Sequence, residues 1–171
     1  NNCVKKFNGM WAFAIVDLKQ NIIFLSRDRL GIKPLYFYHK NNDFIFASEK
    51  KAIVNYIDES FSPNEDVLQK FLFRGELRVG ENENTIFNDI YHLTPGHNMI
   101  YNGDSSRKIK YWSLSARNNN ASLSENIEEF KYLFNDSVRL RLRSDVEVGS
   151  CLSGGLDSSS IVATAADKFN N

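Results

Sequence analysis

Hydrophobic and polar residues change their rhythm along this chain, and the change predicts two unlike halves. Residues 11–16, Trp-Ala-Phe-Ala-Ile-Val, form an apolar run closed by Asp17. A turn at Lys19-Gln20-Asn21 leads to a second run, Ile22-Ile23-Phe24-Leu25, and the two read as a β-hairpin. Residues 35–39 and 44–47 flank the polar turn Lys40-Asn41-Asn42-Asp43 and extend the pattern into an antiparallel meander dense in aromatic residues. A short helix is predicted over 50–56. The next helix has a signalled start: Ser62-Pro63-Asn64-Glu65 reads as a capping box with proline at the first helical position. Val67, Leu68, Phe71 and Leu72 would be its apolar stripe and Gly75 its stop. From 85 to 112 the chain reads as loop and short strand, with Leu93-Thr94-Pro95-Gly96-His97 as a turn and 98–101 and 110–112 as strands.

Helical spacing takes over after a polar stretch at 115–122, which contains Asn118-Asn119-Asn120 and reads as a linker. Ser122-Leu123-Ser124-Glu125 is a second capping box. It opens an amphipathic helix to about Arg143, with Ile127, Phe130, Phe134, Val138 and Leu142 on one face. Residues 147–152 carry enough Val, Leu and Cys to predict a buried strand, with Cys151 inside it. Residues 158–169 place Ile161, Val162, Ala165, Ala166 and Phe169 at helical spacing. The division is therefore 1–114 and 115–171.

Composition narrows the function classes. The chain has 171 residues, 42% hydrophobic and 25% charged, which suits a water-soluble globular protein with one core or two partial ones. Its 21 basic and 21 acidic residues balance, so neither nucleic acid nor an anionic membrane is an expected partner. The longest apolar run is too short to span a bilayer and no charged-then-apolar leader opens the sequence, so the expected location is the cytoplasm. Cys3 and Cys151 are too few and too far apart for a disulfide framework. His39, His92 and His97 lie apart, without metal-ligand spacing, and read as structural or surface residues.

The chemistry is concentrated where the predicted strand meets the predicted helix. Gly154 and Gly155 let the backbone bend tightly and bring its N–H groups close to an anion, and the helix that follows adds its own unpaired N–H groups. Ser153, Ser158 and Ser159 offer hydroxyls to phosphate oxygens, and Asp157 is placed to hold a magnesium ion. The string lacks G-x-x-x-x-G-K-[ST], so it is no kinase-type P-loop, and Cys151 stands where a hydrolase elbow needs glycine. Ser153-Gly154-Gly155-Leu156-Asp157-Ser158 resembles instead the PP-loop of the N-type ATP pyrophosphatases, which cleave ATP between its α- and β-phosphates. That resemblance implies ATP or pyrophosphate binding by Leu152, Ser153, Gly154, Gly155, Leu156, Asp157, Ser158 and Ser159, with magnesium at Asp157 through the pyrophosphate.

Further strings widen the resemblance. Residues 7–17 (FNGMWAFAIVD), 26–37 (SRDRLGIKPLYF), 46–53 (FASEKKAI), 90–97 (IYHLTPGH), Tyr111-Trp112 and 137–159 (SVRLRLRSDVEVGSCLSGGLDSS) are similar, in family order, to glutamine-hydrolysing asparagine synthetases. The resemblance implies an α+β fold: the C-terminal half of an N-terminal-nucleophile hydrolase-like glutaminase, with stacked β-sheets and helices, followed by the start of an α/β PP-loop ATP pyrophosphatase domain. It implies aspartate, glutamine and ATP as small-molecule substrates, and a homodimer as one arrangement of the parent. Aspartate would be adenylated on its side-chain carboxylate and amidated by ammonia from glutamine. The family's nucleophile is a cysteine at the first position of the mature chain, where this sequence has Asn1. The expectation is that the chain is an internal fragment whose glutaminase nucleophile lies outside it, so no catalytic residue is assigned. Relatives of this architecture that amidate other carboxylates or form β-lactams, and a non-enzymatic scaffold, are the alternatives.

Other polar residues carry plainer readings. Arg27, Asp28, Arg29 and Lys33 could guide ammonia or meet a partner domain, but an ion network that holds structure is preferred. Glu49 reads equally as an interface residue or as a helix-start carboxylate. Arg139, Arg141 and Arg143 point to different faces and make no phosphate clamp.

Overall fold

The computed structural model describes residues 2–41, 43–57, 60–74, 82–116 and 120–169. Gly75, Asn42, Asn118 and Asn119, which the sequence reading used as a helix stop, a turn and a linker, lie outside these. The chain divides into two compact units after Ser115.

In the first unit, period-2 alternation builds two sheets. Strands β1 (Ala12–Asp17) and β2 (Ile22–Arg27) form the expected hairpin, with Ala14 opposite Leu25. Strands β3 (Tyr36–Lys40) and β4 (Asp43–Ala47) form the second, with Phe37 opposite Phe46. The expected single meander is corrected here, because the chain leaves the first sheet after β2. One sheet has the order β1-β2-β6-β7 and the other β4-β3-β5, with β5 at Ile90–His92, β6 at His97–Tyr101 and β7 at Ser106–Lys110. The aromatic alternation in β3 and β4 explains the split. Leu35, Phe37, Phe44 and Phe46 pack with Leu25, Leu93 and Met99 in one core. Tyr36, Tyr38, Ile45 and Ala47 point the opposite way, onto Ile53, Val54 and Ile57 of helix α1 (Lys50–Ile57). A strand apolar on both faces must be covered on both, and here a second sheet and a helix do so.

Two local expectations shift. Helix α2 is Glu65–Arg74, and its cap is Asn64, whose side chain accepts from the Val67 N–H at 3.2 Å. Ser62 and Pro63 are drawn away from capping: Ser62 Oγ accepts from Asn88, and Pro63 bridges to Phe87. The predicted strand at 110–112 lies mostly beyond β7. Tyr111 and Trp112 instead both donate their backbone N–H groups to the Gly96 carbonyl, just past the His97–Lys110 pair.

The second unit holds α3 (Leu123–Arg141) and α4 (Leu156–Phe169). Ser122 and Glu125 form the expected reciprocal cap. Of the predicted apolar face, Val138 is buried, Phe134 and Leu142 are half-buried, and Ile127 and Phe130 are exposed. The predicted strand at 147–152 is corrected: these residues are irregular and exposed, Cys151 among them. A strand needs a neighbour for its backbone groups, and the described part of this unit offers only helices. Among the described residues no helix is long and apolar enough to cross a membrane.

Candidate functional site

The glycine-serine loop takes its shape from one backbone angle and three hydroxyls. Gly154 has φ +81°, a conformation that a side chain would strain. Gly155 precedes α4, and its carbonyl accepts the first intrahelical bond, from the Ser159 N–H at 3.1 Å. Ser153 Oγ lies 3.0 Å from Ser158 Oγ and accepts from the Gly155 N–H at 3.4 Å, while Ser158 Oγ donates to the Gly155 carbonyl at 3.2 Å. Ser160 turns back to the Leu156 carbonyl at 2.8 Å.

Of the residues singled out from sequence, Leu152, Ser153, Gly154 and Gly155 lie in the loop. Leu156, Asp157, Ser158 and Ser159 form the first turn of α4, which starts two residues earlier than predicted. The two helix starts of this unit differ in kind. Ser122 and Glu125 satisfy the N-terminal donors of α3 from within. A glycine stands before α4 and has no side chain with which to do the same. Together with Asp157 at the positive end of the dipole, the loop can receive an anion and one hydrated cation. No cluster of three metal-ligating side chains occurs among the described residues. A single carboxylate fits magnesium, which is held by one or two carboxylates and completes its shell with phosphate and water.

The charged run of the first unit is a structural network. The Arg27 guanidinium donates to the carbonyls of Lys33 (2.8 Å), Gly31 (2.9 Å) and Leu93 (2.6 Å), and to His92 Nδ1 at 3.1 Å. Since a guanidinium only donates, His92 must present an unprotonated Nδ1. Burial, and then the charge of Arg27, push the His92 pKa below its ordinary value. The Asp28 carboxylate, 1% exposed, accepts from the backbone N–H groups of Lys33, Ile32, Leu30 and Trp11. Burial alone would raise its pKa, but these four bonds outweigh it and leave the carboxyl below its usual range. Tyr111 closes the network by donating to the Arg27 carbonyl at 2.7 Å, and burial pushes its phenol up to about 12.

Arg29 holds the carbonyls of Phe7 and Lys5 and sits over the Trp11 ring. Glu49 pairs with Lys51, and Arg139 pairs with Asp136. His92, expected as a structural or surface residue, is a buried structural one. Its only sequence signal is a polar residue on the apolar strand β5, which is itself too short to recognise.

The first 112 residues match the family model described as a glutamine amidotransferase domain, and residues 129–170 match the one described as asparagine synthase. The chain is 43% identical, over 94% of its length, to a protein of Methanocaldococcus jannaschii provisionally named glutamine-hydrolysing asparagine synthetase 2. It is 36% identical over 98% of its length to glutamine-hydrolysing asparagine synthetase 3 of Bacillus subtilis. It is also 30% identical over 92% of its length to a Gibberella zeae protein named amidase chry2. The chain covers 32%, 27% and 23% of these relatives, so it spans a third of their length or less.

Proposed function

The chain belongs to the glutamine amidotransferase family, in the glutamine-hydrolysing asparagine synthetase arrangement, and from that premise we propose that its full-length protein is a carbon–nitrogen ligase making asparagine. Aspartate, ATP, glutamine and water would give asparagine, AMP, pyrophosphate and glutamate. The observation that carries the reading is the glycine-capped start of α4, directly after a loop whose hydroxyls converge. Backbone N–H groups of the first turn and the hydroxyls of Ser153, Ser158 and Ser159 would hold the β- and γ-phosphates. They would stabilise the charge that develops as the α–β bond breaks and the aspartate carboxylate takes the adenylyl group. Asp157 would hold magnesium, which supplies charge neutralisation at the pyrophosphate. The N-terminal-nucleophile arrangement of the glutaminase and a cytoplasmic location belong to the same proposal.

A second reading keeps the loop chemistry and changes the acceptor, and the likeness to amidase chry2 favours it over a non-enzymatic scaffold. One experiment separates them. The full-length gene product is given ATP, magnesium, and glutamine or ammonium, with and without aspartate, and asparagine, AMP and pyrophosphate are measured. Aspartate-dependent AMP and pyrophosphate with asparagine is the expected result, and Asp157→Asn should slow it about a hundredfold. ADP and phosphate as products would refute the loop chemistry, while pyrophosphate release that needs a different carboxylate would select the second reading.

A further inference from the structure

An open groove of about 670 Å³ lies on the first unit beside the Arg27–Asp28 network, and its walls are unusual in charge. Arg29, His97 and Lys110 line it, with Thr94 beside them and Trp112 as an aromatic wall. The positions follow from the fold. His97 and Lys110 face each other across β6 and β7, so their side chains lie on the same face of the sheet. Tyr111 and Trp112 are turned back over this end by their bonds to the Gly96 carbonyl, and a Cβ at Gly96 would meet the Trp112 carbonyl at 2.8 Å. Arg29 is held in place by its bonds to Phe7 and Lys5, which leave further guanidinium N–H groups available.

The one carboxylate in the lining, Glu83, is already paired with Lys108. Among the described residues no carboxylate pairs with Lys110 or Arg29. His97 donates from Nδ1 to the Pro95 carbonyl at 2.8 Å, which fixes its ring. An open groove that carries donors and two cations paired with no carboxylate among the described residues, beside an aromatic wall, suits a small anion better than a neutral molecule. The geometry points to a binding site for a small multivalent anion, carrying carboxylate or phosphate groups, in the pocket between Arg29, His97, Lys110 and Trp112. It shares no residue with the glycine-serine loop and does not depend on the reaction proposed there.

The test is titration calorimetry of the full-length gene product, without ATP, using citrate as the carboxylate probe and inorganic phosphate as the phosphate probe. At low ionic strength at least one probe should bind saturably with a Kd of about 1 mM or tighter. Lys110 is exposed at a strand end, so both of its variants should fold. Lys110→Gln should weaken binding about tenfold and Lys110→Glu about a hundredfold, in order of charge removed. The probe that binds more tightly identifies the preferred group. Binding of neither probe, or binding equally strong in Lys110→Glu, would overturn the proposal, since the latter would place the anion elsewhere.

Discussion

Both halves of the chain bend sharply beside backbone N–H groups, but only one of them holds a buried negative charge there. In the first unit the charge is the protein's own. Asp28 sits within four N–H donors, its backbone carbonyl takes the N–H groups of Gly31 and Gly96, and Arg27 ties the same turn to β5. In the second unit a glycine precedes α4 and only hydroxyls of the same loop cross the bend. The first arrangement is fixed by long-range contacts and gives rigidity. The second is fixed by neighbours in sequence and has no buried charge at its bend. A buried side chain that already fills such a nest of N–H groups commits it to structure.

The largest test removes the internal charge. Asp28→Ala leaves four part-buried N–H groups without their side-chain acceptor and removes the carboxylate beside Arg27, so the first unit should lose about 3 kcal/mol. Both tryptophans of the chain, Trp11 and Trp112, lie in that unit, so denaturant unfolding followed by their fluorescence measures this loss. Unchanged stability would mean that the nest does not hold the fold.

Acid should produce a smaller, graded loss. The folded pKa of His92 is lowered, so folding excludes its proton, and stability should fall as pH drops below the ordinary histidine value of 6.5. Asp28 is also lowered in the folded state, and its contribution, present above 3.8, should disappear at still lower pH. His92→Gln should remove the first phase and leave the second, which a pH series of unfolding midpoints would show. The smallest effect is expected in the second unit. Ser122→Ala breaks the cap of α3 and should cost about 1 kcal/mol of helix stability, read by circular dichroism, with tryptophan emission unmoved. A shift in both signals would mean that the two units unfold together.

The elements that were legible in the sequence are those whose signal is local. The two hairpins and the cap at Ser122 depend on alternation or on four consecutive residues, and the structure has them where expected. β7 was missed because Ser106-Arg107-Lys108-Ile109-Lys110 has almost no apolar content, and only its pairing with β6 makes it a strand. The apolar run at 147–152 failed for the converse reason, since composition cannot supply a neighbouring strand. Ser62 lost its capping role to Asn64 because a distant segment, Phe87 and Asn88, engages it and Pro63. The glycines and serines of the candidate site were visible as a string, whereas the bond between Ser153 and Ser158 is visible only in three dimensions.

That hydroxyl pair changes what recognition would mean at this loop. Ser158 already donates to the Gly155 carbonyl and accepts from the Ser153 hydroxyl at 3.0 Å, so an incoming oxyanion would draw both protons from existing partners instead of adding new bonds. The hydroxyls would then yield little net enthalpy on binding, and discrimination would rest on charge and on the fixed curve of the backbone at Gly154. A neutral mimic of the same shape, which offers acceptors without charge, should therefore gain almost nothing from this loop.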